Sequence, residues 1–151
     1  MINVLVTGVG AIIGYGIINS LKMQNEYPIR IVGMDIYDDA YGQFLCDKFY
    51  VAERADSDKY PDFINDLIDK ENIDLIMPGI EQDMYRLYQL GDIIKTKVVL
   101  NNSLLIELSK DKLKTYEFFK ENGLNVIPTM FMKSYEEYKS ELGHPFLMKP
   151  R

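Results

Sequence analysis

Short apolar runs alternate with helical patterns over the first two thirds of the chain. In the helical stretches the apolar residues recur every three or four positions, whereas the runs between them are short and mostly apolar. This alternation is typical of a parallel β-sheet that is covered by helices. The predicted strands are Ile2–Thr7, Ile29–Met34, Phe49–Ala52, Ile73–Met77 and Lys97–Leu100.

Three helical patterns connect these strands. The first follows a cluster of glycines, the second is predicted to be capped by Asp58, and the third covers Glu81–Leu90. The order up to about Asn102 is therefore β-α-β-β-α-β-α-β. We predict an α/β fold for residues 1–102, with a Rossmann-like parallel sheet and helices on both of its faces.

The last third of the chain has a different pattern. Ser109 is predicted to cap a helix over Lys110–Asn122, and Gly123 to end it. The remaining predicted elements are a strand over Val126–Met132, a short helix from Ser134 to Leu142 and a strand over Phe146–Lys149. These few elements cannot bury a second core of their own. Residues 103–151 are therefore predicted to be the truncated beginning of a second, α+β domain.

Composition and charge exclude several classes of protein. The 151 residues are 47% hydrophobic and 26% charged, which is typical of a globular chain and not of a disordered one. The formal net charge of −6 and the absence of a dense basic stripe argue against a nucleic-acid partner. No apolar run approaches the roughly 18 residues that a membrane span needs. With a single cysteine, Cys46, and no signal-peptide pattern, the expected location is the cytoplasm, with no membrane partner.

A glycine cluster lies between the first strand and the first helix. Gly8, Gly10 and Gly14 have the spacing G-x-G-x-x-x-G, which differs from the dinucleotide fingerprint G-x-G-x-x-G. Two interpretations remain open. Residues Thr7–Gly14 resemble the T-G-x-x-G-x-x-G motif of nicotinamide-dependent short-chain dehydrogenases, in which Asp35 would meet a ribose hydroxyl. Alternatively, the glycines form a tight turn that packs the first helix close to the sheet and holds no dinucleotide.

The dehydrogenase interpretation also requires a Tyr-x-x-x-Lys pair on a helix. The chain has two, Tyr116 with Lys120 and Tyr135 with Lys139. About one such pair is expected by chance in a chain this rich in tyrosine and lysine, so they are better explained as solvated surface residues. The further alternative is a non-catalytic module that binds a small molecule.

Three later blocks, in this order and spacing, resemble the entry into the ATP-grasp fold. Ser109–Lys112 opens a D-K helix, Gly123–Thr129 resembles the strand G-(I/L)-x-x-P-x-T, and Gly143–Arg151 resembles the strand G-x-P-x-x-x-K-P. The first 102 residues resemble the pre-ATP-grasp domain that precedes this fold. The likeness covers essentially the whole chain, and it is closest to proteins related to the carbamoyl-phosphate synthase large subunit.

This resemblance implies an ATP-dependent carboxylate–amine ligase that works through an acyl phosphate. Its implied cofactors are ATP and Mg²⁺, and its implied partners are a small carboxylate and an amine; a homo-oligomer is left open. By position in the motifs, Lys112, Lys149 and Arg151 are the candidate ATP-binding residues. The magnesium ligands and the catalytic groups are expected beyond Arg151, so no metal ligand is assigned here. We expect these 151 residues to fold without catalysing the reaction.

Two acids follow the fourth predicted strand. Glu81 and Asp83 lie just past its carboxyl end, at the rim where open α/β sheets bind ligands. Together with Gly8, Gly10 and Gly14 they are the candidate substrate-binding residues. Acids in a first helical turn also favour the helix dipole without any ligand, and this alternative stays open.

Overall fold

A computed structural model of the chain describes residues 1–131, 134–142 and 145–148. It divides into two compact units, Met1–Leu100 and Asn101–Arg151. The strands are β1 Ile2–Thr7, β2 Ile29–Asp35, β3 Lys48–Val51, β4 Leu75–Met77 and β5 Lys97–Val98. The α-helices are α1 Ile12–Met23, α2 Tyr60–Glu71, α3 Glu81–Leu90, α4 Ser103–Lys110, α5 Lys112–Glu121 and α6 Tyr135–Leu142.

The first unit is a five-stranded parallel sheet in the order β3-β2-β1-β4-β5. In the register of its centre, Val4 lies between Ile31 of β2 and Leu75 of β4. The predicted α/β fold class is therefore confirmed. Successive β1 side chains point to opposite faces of the sheet, so both faces need an apolar cover.

The helices supply that cover on both faces. Val4 packs in one core cluster with Ile18 of α1, whereas Leu5 packs in the other cluster with Ile64 of α2 and Leu87 of α3. None of these five residues is more than 2% exposed. The alternation along β1 thus explains the three layers, because each face of a buried parallel strand carries its own core.

A polar network joins the end of α2 to strands β2 and β3. Glu71, at the end of α2, accepts from the Tyr50 hydroxyl and from the Arg30 guanidinium. These contacts, the Tyr50 hydrogen bond first, hold the pKa of Glu71 below its usual range. The network therefore ties the end of α2 to Arg30 of β2 and Tyr50 of β3.

Several predicted caps and ends were wrong. Helix α2 begins at Tyr60 after Lys59, and no Asp58 side-chain cap forms. The helix predicted over Lys110–Asn122 is present as α5 Lys112–Glu121, but its cap is Asp111, which accepts from the Leu113 amide, and not Ser109. The Ser109 hydroxyl instead donates to the Ile106 carbonyl within α4.

The second unit is mainly helical in its described part. Gly123 follows α5 at φ +72°, as predicted for a helix end, and the Ser134 hydroxyl accepts from the Glu137 amide at the start of α6. The predicted strands over residues 126–132 and 146–149 are absent from their described positions, 126–131 and 146–148. A strand needs a neighbour to satisfy its amide and carbonyl groups, and these segments pair with no other strand in the described chain.

Candidate ligand site

The candidate site lies at the carboxyl ends of β1 and β4. From β1 the chain turns into α1 and returns as β2 on one side; β4 adds to the other side of β1 and continues into α3. The connections therefore diverge between β1 and β4. In open α/β sheets, ligands bind in the crevice that such a divergence creates.

Glycines allow the two turns at this crevice to touch. Gly8 has φ +58°, and a Cβ on Gly14 would lie 2.2 Å from the Gly8 carbonyl oxygen. A Cβ on Gly79, in the turn after β4, would lie 2.2 Å from the Thr7 carbonyl oxygen and 2.6 Å from the Gly14 Cα. The structure thus shows the close packing of α1 that was one interpretation of the glycine cluster. That the turn holds no dinucleotide stays a prediction.

Asp35, at the end of β2, has its carboxylate engaged by the glycine turn. One oxygen accepts from the Gly10 amide at 2.8 Å and the other from the Tyr37 amide at 3.1 Å. The side chain is only 8% exposed. A carboxylate that orders its own loop in this way is less available to a ribose hydroxyl, and this disfavours the dehydrogenase interpretation.

The two candidate acids occupy different environments. Helix α3 begins at Glu81, as predicted, and Glu81 is exposed at its first turn. Asp83 is 5% exposed and accepts a hydrogen bond of 3.0 Å from the Tyr60 hydroxyl. Burial raises the pKa of Asp83, against the opposing effect of hydrogen bonds from Thr7 and Tyr60. Glu81 is therefore the solvent-exposed acid at the start of α3, whereas Asp83 is buried.

A chain of hydrogen bonds connects Asp83 to the turn after β4. The Gly79 amide donates to the Thr7 hydroxyl at 3.3 Å, and the Thr7 side chain is hydrogen-bonded to Asp83. Thr7 and Tyr60 are fully buried, and burial, followed by the charge of Asp83, raises the pKa of Tyr60. This network supports the floor of the crevice and holds Gly79 against the glycine turn.

Sequence reasoning missed Thr7, Tyr60 and Arg86 in this network. The Arg86 charge acts on Tyr60, and the buried Arg86 Nε has no hydrogen-bond partner in the described part of the chain. A signal for Asp83 was present, since it precedes Leu87 by four residues on the buried face of α3. No comparable local signal marks Tyr60, whose role depends on how α2 packs beside α3.

Two helix N-termini meet at the crevice with open first turns. Ala11 precedes α1 and Ile80 precedes α3, and neither residue has a side chain that can cap the helix. The first helical hydrogen bonds begin at the Tyr15 and Met84 amides, so the preceding amides have no helical acceptor. Such amide groups carry partial positive charge and suit an anionic group of a ligand.

The candidate ATP-binding residues belong to the second unit. Lys112 is exposed at the first position of α5, next to its cap Asp111. Lys149 and Arg151 lie outside the described residues. Of the tyrosine–lysine pairs, Tyr116 and Lys120 form a cation–π contact of 5.7 Å along α5, whereas the Tyr135 side chain is not described.

Other chemistry has little support in the described residues. Within 1–131, 134–142 and 145–148, no group of three or more His, Cys, Asp or Glu residues could hold a metal ion. The Cys46 thiol is half-buried and donates to the Gly42 carbonyl oxygen. Burial raises its pKa to about 11, so it is a poor nucleophile at neutral pH. No helix in this part of the chain is long and apolar enough to span a membrane.

Comparison with known proteins decides the family. Residues 4–99 match the family model described as PylC-like, N-terminal domain. The chain belongs to the PylC-like family. The resemblance to the ATP-grasp superfamily and its pre-ATP-grasp domain is thereby confirmed. No curated protein sequence matches the chain.

Solved structures agree on the fold. N5-carboxyaminoimidazole synthetase from Staphylococcus aureus, complexed with ADP, is similar over 97% of this chain, with TM-score 0.69 and 21% identity. N5-carboxyaminoimidazole ribonucleotide synthetase from Thermotoga maritima is similar over 96% of this chain, with TM-score 0.63 and 20% identity. The biotin carboxylase subunit of pyruvate carboxylase is similar over 96% of this chain, with TM-score 0.58 and 25% identity. The chain spans 37%, 37% and 34% of the length of these proteins, respectively.

Proposed function

We propose that this chain is the N-terminal part of an ATP-dependent carboxylate–amine ligase of the ATP-grasp superfamily, and that the crevice between β1 and β4 holds its acceptor substrate. The observation that carries the proposal is the pair of open helix N-termini beside the exposed Glu81. Family membership and the ligases of similar fold support the same reaction class.

The crevice suits a small molecule that has both an anionic group and an amine. The amides of the exposed residues 12, 13, 81 and 82 would donate to the anion. The Glu81 carboxylate would accept from the amine as a charge-assisted hydrogen bond. Gly8, Gly10 and Gly14 shape the wall, because without side chains the backbone of this turn can approach a ligand closely.

Among the described residues, Lys112 is the one that the D-K motif assigns to the phosphates of ATP. A cation in the first turn of a helix opposes the helix dipole, so its position is not explained by the stability of α5. When bound, Mg-ATP supplies the phosphoryl group that makes a carboxylate reactive toward an amine. Lys149 and Arg151 are proposed for the same phosphates from their motif, and we assign no magnesium ligand.

The finer assignment rests on sequence blocks. Ser109–Lys112, Gly123–Thr129 and Gly143–Arg151 support a relation to the carbamoyl-phosphate synthase large subunit. Ligation also needs an adenine site, magnesium ligands and a closed cleft that excludes water, whereas the residues of these blocks that we assign to ATP are two lysines and an arginine. We therefore propose that these 151 residues alone are inactive.

The acceptor site can be tested with backbone amide NMR spectra of the 151-residue chain. We expect α-amino acids at about 10 mM to shift the amide signals of residues 12–14 and 81–83, since a site of this kind binds in the millimolar range. Acetate should shift the same amides less. The Glu81→Gln variant should lose the extra effect of the amino acids while it keeps the response to acetate.

The matched control is Glu26→Gln, which removes the same charge from an exposed residue of the loop after α1. It should leave every ligand response unchanged. If none of the amino acids tested shifts the amide signals of residues 12–14 and 81–83, the proposed acceptor site is wrong. Saturable binding of NADH at micromolar concentration would instead favour a dehydrogenase.

ATP binding to the 151-residue chain is expected to be weak. One exposed lysine contact contributes on the order of 1 kcal/mol, whereas micromolar affinity requires about 8 kcal/mol. Calorimetry with Mg-ATP should therefore give no dissociation constant below about 1 mM. Phosphate release should stay at background, and Lys112→Ala should match its neighbour control Lys114→Ala. Stoichiometric, saturable ATP hydrolysis by this chain would overturn the proposed inactivity.

A further inference from the structure

Helix α1 exposes apolar side chains away from the sheet. Its inner side packs Ile18 in the core, but on its outer side Ile12 and Met23 are 82% and 81% exposed, and Ile13 is 61% exposed. An amphipathic helix normally keeps such residues on the stripe that faces its own core. The outer side of α1 therefore has the composition of a face that is covered by something else.

Gly16 lies in the middle of this face. A Cβ built on Gly16 has no atom within 4 Å, so nothing in the described part of the chain requires a glycine there. Glycine inside a helix is destabilising relative to alanine, and its presence at an open position suits the close approach of another backbone. This contrasts with Gly14, whose absent side chain is explained by the Gly8 carbonyl.

Two polar side chains lie on the same face, and they differ in their hydrogen bonds. The Ser20 hydroxyl donates to the Gly16 carbonyl oxygen, so it needs no further partner. Asn19, half-buried and one turn after Gly16, makes no side-chain hydrogen bond within the described part of the chain. An amide side chain both donates and accepts, so two copies of Asn19 can pair with each other.

The apolar surface extends from α1 to the neighbouring 3-10 helix Tyr41–Leu45. The rings of Tyr15 and Tyr41 are in contact, with centroids 5.5 Å apart, and Phe44 is 82% exposed. We call this the α1 surface; it consists of the exposed outer side of α1 from Ile12 to Met23, together with Tyr41 and Phe44.

Charge and area favour a second copy of this chain as the occupant. The chain has a net charge of −6, yet α1 contains one charged residue, Lys22, and the 3-10 helix Tyr41–Leu45 contains none. Two copies that meet here bring few like charges together, although they repel each other over the rest of the surface. The exposed parts of the large side chains amount to roughly 800 Å², which is what one partner contributes to a standard interface.

We propose that the α1 surface is a homodimer interface, in which the α1 helices of two copies of this chain cross at Gly16 about a two-fold axis. A two-fold interface places the same patch on both partners, so the central residues of each helix face their own copies. The open Gly16 then lets the two backbones approach, while Tyr41 and Phe44 cover the flanks. A single asparagine in an apolar helix interface fixes the register of the two helices, and Asn19 stands one turn from the crossing.

The oligomeric state of the 151-residue chain tests this interface. Sedimentation velocity should show a concentration-dependent dimer, and Gly16→Arg should raise its dissociation constant by at least about tenfold. Within one chain the arginine side chain has free space. The melting temperature measured at high dilution should therefore fall no more than it does for other substitutions at exposed helix positions. Gln89→Arg, on the exposed face of α3, is the matched control, because it makes the same change in charge and should leave the dimer intact.

A disulfide reports the geometry directly. In a glutathione redox buffer, the two introduced thiols of a Gly16→Cys dimer should be oxidised to one intermolecular disulfide as oxidised glutathione is reduced, while the half-buried Cys46 of each chain stays a thiol. Gln89→Cys should remain unlinked. Phe44→Ser should also weaken the dimer, which keeps the test decisive if Gly16→Arg fails to fold. A chain that is monomeric at about 100 µM, or a dimer that is unchanged by Gly16→Arg and Phe44→Ser, would overturn the proposal.

Discussion

Replacing Gly14 by alanine is expected to lower the free energy of unfolding of the first unit by about 3 kcal/mol or more. The new Cβ would lie 2.2 Å from the Gly8 carbonyl oxygen and 2.8 Å from its carbon. Both are backbone atoms at the end of the central strand, so relief requires α1 or the glycine turn to move. Urea denaturation followed by circular dichroism, at a concentration where the chain is monomeric, measures the change.

Gly16→Ala is the matched control for this experiment. It makes the same substitution two residues later in the same helix, where no atom lies within 4 Å of the added Cβ. It is expected to stabilise the chain by about 0.5–1 kcal/mol, because alanine has a lower entropy cost in a helix. Equal effects of the two substitutions would show that helix propensity, and not the contact between α1 and the glycine turn, governs stability here.

The second large effect is expected at the buried pair of Tyr60 and Asp83. Tyr60→Phe removes the hydroxyl that donates to the Asp83 carboxylate at 3.0 Å, deep in the core. The loss of a partner by a buried carboxylate should lower the free energy of unfolding by about 1–3 kcal/mol. Tyr27→Phe, at a 60% exposed tyrosine, should change it by less than about 0.5 kcal/mol.

The Tyr60–Asp83 pair should also make the free energy of unfolding depend on pH. Burial raises the pKa of Asp83 above its ordinary value of 3.8. An acid with a raised folded-state pKa stabilises the fold fully below its unfolded-state pKa, and this contribution is lost as pH rises through the folded-state pKa. The wild type should therefore lose stability relative to Asp83→Asn as the pH rises above the ordinary aspartate pKa of 3.8. A difference that does not vary with pH would show that Asp83 titrates normally.

Tyr60→Phe should make this pH dependence steeper. The Tyr60 hydrogen bond favours the charged carboxylate, so its removal raises the pKa of Asp83 further. The effect of Tyr60→Phe on stability should accordingly be smaller near pH 4 than near pH 7. The reverse order would mean that the hydroxyl does not stabilise the charged form of Asp83.

The strands of the first unit were predictable because their signals are local. Short, mostly apolar runs such as Ile2–Thr7 mark strands whose central residues are buried on both faces, and the structure has β1 at these bounds. Helix α3 also has its predicted bounds, since Pro78-Gly79 precedes it and Gly91 ends it. In the second unit, by contrast, the predicted strand over 126–132 had apolar residues but no partner strand in the described chain, and pairing cannot be read from one segment.

The candidate ligand site was predictable only in outline. The sequence places Glu81, Asp83 and the glycines at the carboxyl ends of strands, and the structure brings them to one edge of the sheet. It does not distinguish the two acids, which stand in the same helical turn. Their environments differ because side chains two positions apart on a helix point in nearly opposite directions. Asp83 therefore points inward and accepts from Tyr60 of α2.

The sequence by itself determined the α/β order of the first unit, the helix that begins at Glu81 and the family resemblance, because each depends on patterns within one segment. The tertiary structure alone decided which glycine is closely packed and which lies open, since a Cβ on Gly14 would meet the Gly8 carbonyl, whereas one on Gly16 has no described atom within 4 Å. It also decided that Asp83 is buried and Glu81 exposed. These outcomes depend on how helices pack on the sheet, and the free energy of that packing comes from contacts between residues far apart in the chain.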